Sequence, residues 1–187
     1  MEAAKIWIVT VIATVTYGIA QDLVTTRVSL EYFTIGHVNL FGIQSPAMLA
    51  FYWGIVATWW LGVPLGCLIA LTARLGKRPK IAVRDLLRPG LCLLLAVGML
   101  ALLAGMAGYI AAELGVISLS AGFAEYIPPN GHHRFLAVAW AHTAAYGGGF
   151  IGATLLAAWI WTTRAKTPTP VLSRDLPRPI ALDQKTA

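Results

Sequence analysis

Histidine and acidic residues concentrate in two hydrophilic segments of this sequence, residues 22–45 and 113–134, and just beyond the second one. The histidines are His37, His132, His133 and His142, and the acids are Asp22, Glu31, Glu113 and Glu125. Imidazole and carboxylate groups bind zinc and copper(II), and histidine also exchanges protons near neutral pH. If the two segments fold over one another, the residue types predict one site for a divalent metal ion or for protons.

Three histidines and one acid are the predicted ligands or proton carriers: His37, His133 and His142, followed by Glu31. A helix would place His142 roughly 10–14 Å deeper than His133, and an ionisable residue inside a membrane is by default a candidate functional residue. The alternative is a neutral imidazole that packs two helices together. If the site forms, the side chains of His37 and His142 should lie within about 10–12 Å of each other.

A supporting polar network is predicted around these residues. Asp22 lies near a membrane boundary, where an isolated charge is costly, and Arg27 is the nearest basic partner for it. Tyr146 follows His142 by one helical turn and shares its face. The alternative for the acidic and basic pair is a salt-bridged helix end with no further role.

Several kinds of chemistry are disfavoured by the sequence. A bis-histidine haem needs two histidines facing each other across helices, and only His142 is expected at depth. The basic residues flank apolar runs and form no patch with stacking aromatics, which argues against nucleic-acid binding. The sequence has no GxSxG, Walker A or dinucleotide-binding motif, so it makes no prediction of catalysis.

The elements that must position these residues are predicted to be membrane helices. Hydrophobic residues make up 58% of the 187 residues and charged residues 12%, against about 45–50% and 25% in soluble domains. Four apolar runs, near 4–24, 46–73, 90–112 and 135–162, suit spans of about 20 residues. We therefore expect an all-α membrane four-helix bundle over residues 1–163 with two ordered extracytoplasmic loops, and a disordered cytoplasmic tail over 164–187.

Finer features of the helices also follow from the sequence. Gly18-Ile19-Ala20 resembles a signal-peptidase site, although an uncleaved first span is the preferred interpretation. Pro64 should kink the second span. Residues 77–88 predict a short surface helix, followed by a turn at Pro89-Gly90.

Small residues recur along the third and fourth spans at helical spacing, which predicts that these two spans pack together most closely. In the third span they are Gly98, Ala101, Gly105, Gly108, Ala112 and Gly115, and in the fourth Ala137, Ala141, Ala145, Gly148 and Gly152.

The distribution of charge predicts an orientation. Of the 14 Lys and Arg residues, 12 lie at the N-terminus, in residues 74–88 or beyond residue 163. Because cytoplasmic segments of membrane proteins are rich in Lys and Arg, both termini are expected in the cytoplasm. The histidines are then expected on the extracytoplasmic side, and the lipid bilayer is the first predicted partner.

Three stretches resemble a set of uncharacterised bacterial four-span inner-membrane proteins: residues 17–37, Thr58–Val63 (TWWLGV) and His132–His142 (HHRFLAVAWAH). The resemblance covers most of residues 15–162 and leaves out the tail. It implies a bacterial inner-membrane location and brings no activity with it.

Three functions from different classes follow from these patterns. The first is a His and acid site that binds a metal ion or protons at the extracytoplasmic face. The second is a structural or assembly subunit, bound to another membrane protein or to further copies of itself. The third is a small oligomeric transporter or channel lined by Asp22 and His142.

Overall fold

The computed structural model describes residues 1–38 and 41–166, and these residues fold into helices without a β-strand. The helices are α1 (Glu2–Val28), α2 (Glu31–Thr34), α3 (Pro46–Val56), α4 (Trp59–Arg74), α5 (Val83–Glu113), α6 (Ala121–Ala124) and α7 (His132–Lys166), with a 3-10 turn over Pro129–Gly131. The expectation of an all-helical protein is confirmed.

Three of these helical stretches are long and apolar enough to cross a membrane: α1, α5 and Pro129–Ala165. Helices α3 and α4 together provide a fourth if the bent pair counts as one span. Helix α1 runs without interruption through Ala20, the residue before the possible cleavage point.

The bend between α3 and α4 is 41° and lies at Ala57 and Thr58, so the prediction of a kink at Pro64 is wrong. Side chains supply the hydrogen bonds that the broken helix loses. The Tyr146 hydroxyl donates to the Ala57 carbonyl (3.1 Å), and the Thr58 hydroxyl donates to the Gly54 carbonyl. Pro64 lies inside α4, where it only removes one backbone donor.

Helix α5 begins at Val83 and continues through Pro89, so the predicted surface helix over 77–88 and the turn at Pro89-Gly90 are wrong. Residues 75–82 are not helical. Pro89 lies in the second turn of α5, where its missing N–H costs the helix a single bond.

One end of the molecule, which we call the basic end, contains Glu2, residues 75–83 and Arg164. Arg164 is only 1% exposed and donates to the carbonyls of Thr72, Leu75, Arg78 and Pro79. Helix α7 therefore extends into the predicted tail, and the boundary at residue 163 is wrong. The rest of the predicted tail lies outside the described residues.

Helices α5 and α7 have the most extensive contact of any pair, as the small-residue pattern predicts. A Cβ atom added to Gly105 would lie 3.2 Å from the Ala137 carbonyl oxygen and 3.3 Å from the Ala141 Cβ. Val97 and Ala101 of α5 are buried against Ala141 and Ala145 of α7. Gly115 ends α5 with a φ of +67°, a conformation that suits glycine.

Helix α1 packs mainly against α3 and α4. The closest backbone approach there is at Gly54, where an added Cβ would lie 2.6 Å from the Ile19 nitrogen and Cα. Gly18 contributes to the same contact, because a Cβ atom added to it would lie 2.8 Å from the Gly54 carbonyl oxygen. By contrast, α1 contacts α5 at few places, which leaves the seam between these two helices open.

Replacing Gly54 with Ala should destabilise the protein by roughly 1–3 kcal/mol, because the new methyl group meets backbone atoms that cannot rotate away. The matched control is Gly147→Ala in α7, where an added Cβ meets nothing within 4 Å. That change should be neutral or stabilise the helix by up to about 1 kcal/mol. Chemical unfolding in detergent micelles measures both, and equal stabilities would contradict the close contact of α1 and α3.

Candidate functional site

The centre of the candidate site is a buried contact between Asp22 of α1 and His142 of α7. The Asp22 Oδ1 lies 3.5 Å from the His142 Nε2, and the two residues are 4% and 9% exposed. The Thr25 hydroxyl oxygen lies 3.2 Å from the same nitrogen and donates its proton to the Gln21 carbonyl. This arrangement is satisfied when the His142 Nε2 carries a proton, which both neighbouring oxygens can then accept.

An aromatic shell connects His142 to His37. The Tyr32 ring centroid lies 4.9 Å from each imidazole centroid, so the two imidazole rings can be no farther apart than twice that distance. The predicted proximity of His37 and His142 is therefore confirmed. His37 places its Nδ1 2.8 Å from the Tyr32 carbonyl oxygen and its ring 4.7 Å from Trp53.

Tyr32 itself is deeply packed in this shell, outside the membrane-spanning helices. Burial raises the pKa of Tyr32 to about 12, and the nearby Tyr146 and Asp22 act in the same direction. Tyr32 therefore stays a neutral phenol over the physiological range of pH, in contact with both histidines.

His133 does not join this group, which corrects the prediction of a shared site. Nine residues separate it from His142, about two and a half helical turns, so the two side chains leave α7 on opposite sides. The His133 Nδ1 instead lies 2.9 Å from a Glu113 carboxylate oxygen, and its ring meets Tyr109 edge-on. Both partners of this pair are substantially exposed, at 40% and 51% of their side chains.

Glu31 makes no ion pair with a histidine among the described residues. Its carboxylate accepts a hydrogen bond of 2.8 Å from the Ser29 hydroxyl and so stabilises the turn that follows α1. His132 similarly places its Nε2 2.9 Å from the Ile127 carbonyl oxygen. Across residues 1–38 and 41–166, no three His, Cys, Asp or Glu side chains come together in a way that could hold a metal ion.

The predicted ion pair of Asp22 with Arg27 is wrong. Five residues on a helix correspond to a rotation of about 140°, so Arg27 leaves α1 far from the face that carries Asp22. Its side chain is exposed and its guanidinium donates to the Leu23 carbonyl. No ion pair of the described residues includes Arg27, and Asp22 depends on His142.

The pair lies at one end of a cavity of about 310 Å³ bounded by α1, α4, α5 and α7. Tyr146 lines this cavity, as do Tyr17 and Gln21, two residues that our sequence-based prediction did not include. A spacing of four places Tyr17, Gln21 and Thr25 on one face of α1, and this periodicity of polar residues in an apolar helix was the signal that could have identified them.

Comparisons with family models, with curated proteins and with solved structures give no match to this chain.

The arrangement is suited to holding a proton in an apolar environment. A carboxylate and an imidazole at 3.5 Å can share one proton and remain neutral as a pair. Removing either partner leaves the other without its compensating group, which is expensive where water is excluded.

A double-mutant cycle should detect this dependence. Asp22→Asn and His142→Gln should each destabilise the protein, and the double variant should lose less than the sum, with a coupling of roughly 1–3 kcal/mol. The matched control is the exposed pair, Glu113→Gln and His133→Gln, whose coupling should stay below about 1 kcal/mol. Unfolding in detergent micelles measures both cycles. Two equal couplings would mean that burial adds nothing to the first pair.

Proposed function

We propose that this chain is an integral membrane protein of four spans, with the bent pair of α3 and α4 as the second span. The loops after α1 and α5 are then extracytoplasmic and both termini cytoplasmic. Support comes from the 12 of 14 basic residues that lie at the N-terminus, in residues 74–88 or beyond residue 163. The resemblance of residues 15–162 to bacterial four-span proteins favours the bacterial inner membrane.

The orientation is tested by fusing a reporter that is active only in the periplasm after Ala187, in parallel with one that is active only in the cytoplasm. Only the cytoplasmic reporter should be active, because the basic segments resist translocation. A fusion within residues 114–131 should give the reverse result. Activity of the periplasmic reporter after Ala187 would overturn the proposed topology.

We further propose that the function of this protein is carried by proton binding at Asp22 and His142. The observation that carries the proposal is the buried contact of 3.5 Å between a carboxylate and an imidazole. No Lys or Arg of the described chain pairs with Asp22. The charge of the Asp22 carboxylate is then compensated by the proton that it shares with His142.

A proton is favoured over a metal ion as the bound species. Catalytic zinc sites use three protein ligands and structural sites four. Asp22 and His142 supply two, and no group of three His, Cys, Asp or Glu side chains among the described residues could hold a metal ion. Zinc or copper binding by His37 and His142 remains a prediction from the sequence that elemental analysis of the purified protein would test.

Of the alternative functions, a small transporter is favoured by one observation, the cavity that extends from the basic end to the pair. In a transporter, Asp22 and His142 would exchange a proton against a bound molecule. Flux of a substrate across liposomes that responds to a pH gradient would support it. The hypothesis of an assembly subunit would be supported by stable co-purification of another membrane protein.

Infrared difference spectroscopy between acidic and alkaline buffer tests proton binding directly. The wild-type spectrum should contain a carboxyl band from Asp22 that is absent in Asp22→Asn and displaced in His142→Gln, because the imidazole contacts the carboxyl group. Glu113→Gln is the matched control, since it removes an exposed carboxylate that also contacts a histidine. A band that persists in Asp22→Asn would overturn the proposal.

A further inference from the structure

We propose that the cavity beside Asp22 and His142 binds one amphipathic lipid with an uncharged head that both donates and accepts hydrogen bonds. The head would lie at Tyr17 and Gln21 and the hydrocarbon chain would extend towards the basic end. This inference rests on the proposed function, because it names the class of molecule that the proton-binding site contacts.

The cavity has the shape of an elongated ligand. Its lining on α1 begins at Ile6 and reaches Asp22, sixteen residues or about 24 Å at the rise of a helix. Its volume of about 310 Å³ lies at the lower end of the range of about 300–1,000 Å³ for small-molecule sites. Leucine side chains of three helices, Leu65, Leu94 and Leu156, line the part away from the pair, which suits a hydrocarbon chain.

Two polar atoms at the end of the cavity beside Asp22 and His142 need hydrogen-bond partners. The Tyr17 hydroxyl and the Gln21 Oε1 are buried and have no hydrogen-bond partner within the described residues. A buried polar group without a partner costs about 1–3 kcal/mol, and these two lie one helical turn apart. A phenol can donate and an amide oxygen accepts. The complementary head therefore accepts from Tyr17 and donates to Gln21, as a hydroxyl group can.

The charge of the lining argues for an uncharged head. No Lys or Arg belongs to the described residues that line the cavity, so a phosphate or carboxylate head would lack a counter-charge. Asp22 is the acid of the lining and is already compensated by His142, so a cationic head gains nothing further. Burying an unpaired charge in such a place is strongly unfavourable.

The seam between α1 and α5 gives the lipid its way in from the bilayer. Leu87 and Leu91 of α5 line the cavity and are still 55% and 57% exposed. A second cavity of about 480 Å³ opens along the same seam, between Val28 of α1 and Tyr109 of α5, and shares Tyr17 and Gln21 with the first. A membrane lipid could therefore move sideways between the two helices without crossing water.

The test uses hexadecanol as the probe, added to the full-length protein in detergent micelles. Native mass spectrometry counts the bound molecules, and the shift of the unfolding temperature follows the titration. Wild-type protein should bind one hexadecanol, whereas hexadecyl phosphate should bind at least about tenfold more weakly. Equal binding of hexadecanol and hexadecyl phosphate would overturn the proposal. The failure of every uncharged probe to bind would also overturn it.

Two glycines of α7 provide a matched pair of variants. Gly149 lines the cavity, Gly147 does not, and an added Cβ meets nothing within 4 Å at either position. Gly149→Leu should weaken hexadecanol binding by about tenfold or more because its side chain occupies ligand space. Gly147→Leu should leave binding unchanged. Equal effects of the two variants would mean that the lipid binds elsewhere.

Tyr17→Phe tests the head of the ligand. It should weaken hexadecanol binding by about fivefold, the value of one hydrogen bond, without lowering the stability of the ligand-free protein. Binding unaffected by this change would contradict the placement of the head. An alkyl-substituted quinol, tested beside hexadecanol, distinguishes aromatic from aliphatic sources of the same hydroxyl chemistry, and the tighter binder identifies the source.

The outcomes also separate this inference from proton binding. If the infrared band of Asp22 is present and neither uncharged probe binds, the ligand class is wrong and the proton site stands. If hexadecanol binds as described and Asp22→Asn leaves the infrared band unchanged, the cavity is a lipid site without the proposed proton chemistry.

Discussion

The contact between Asp22 and His142 is the buried polar interaction that links α1 to α7. Helix α1 touches α7 at few places, and the polar link formed by Asp22, Thr25 and His142 crosses between them at one of these. Both groups are buried, so neither can turn to water instead. The link therefore fixes the position of α1 relative to α7 more strictly than apolar packing would. It lies at the edge of the cavity, a space that the remaining side chains leave unfilled.

That space lies between two close pairings of different helices. Small residues bring α5 and α7 together on one side, and the Gly18 and Gly54 contact draws α1 towards α3 on the other. Because both contacts are near their limit of approach, α1 cannot also close on α5. The cavities along this seam are a geometric consequence of tight packing elsewhere, and polar residues of α1, Tyr17 and Gln21, face into them.

Much of the fold could be predicted from composition and spacing, because apolar runs and small-residue periodicity are local properties of the sequence. The pairing of α5 with α7 belongs to this class, and the proximity of His37 to His142 follows from the expectation that both lie at the same end of the bundle. The placement of His133 and Arg27 was wrong because loop proximity was considered without helical phase, which separates His133 from His142 by half a turn. Two features depend on distant parts of the chain: Gly54 packs against Ile19, and the bend at Ala57 is bonded by Tyr146. No local sequence pattern predicts either of them.

Arg164 has a consequence for the order in which the chain can assemble. Its guanidinium supplies hydrogen bonds to carbonyls that end α4 and lie in the following loop, 85 to 92 residues earlier in the sequence. A cation at the end of a helix also complements the helix dipole. During synthesis these carbonyls cannot receive the hydrogen bonds of Arg164 until the last turn of α7 has been made. One residue near the end of α7 thus completes the hydrogen bonding of a loop that is made much earlier, and a chain that stops short of it would leave these carbonyls without Arg164 as a donor.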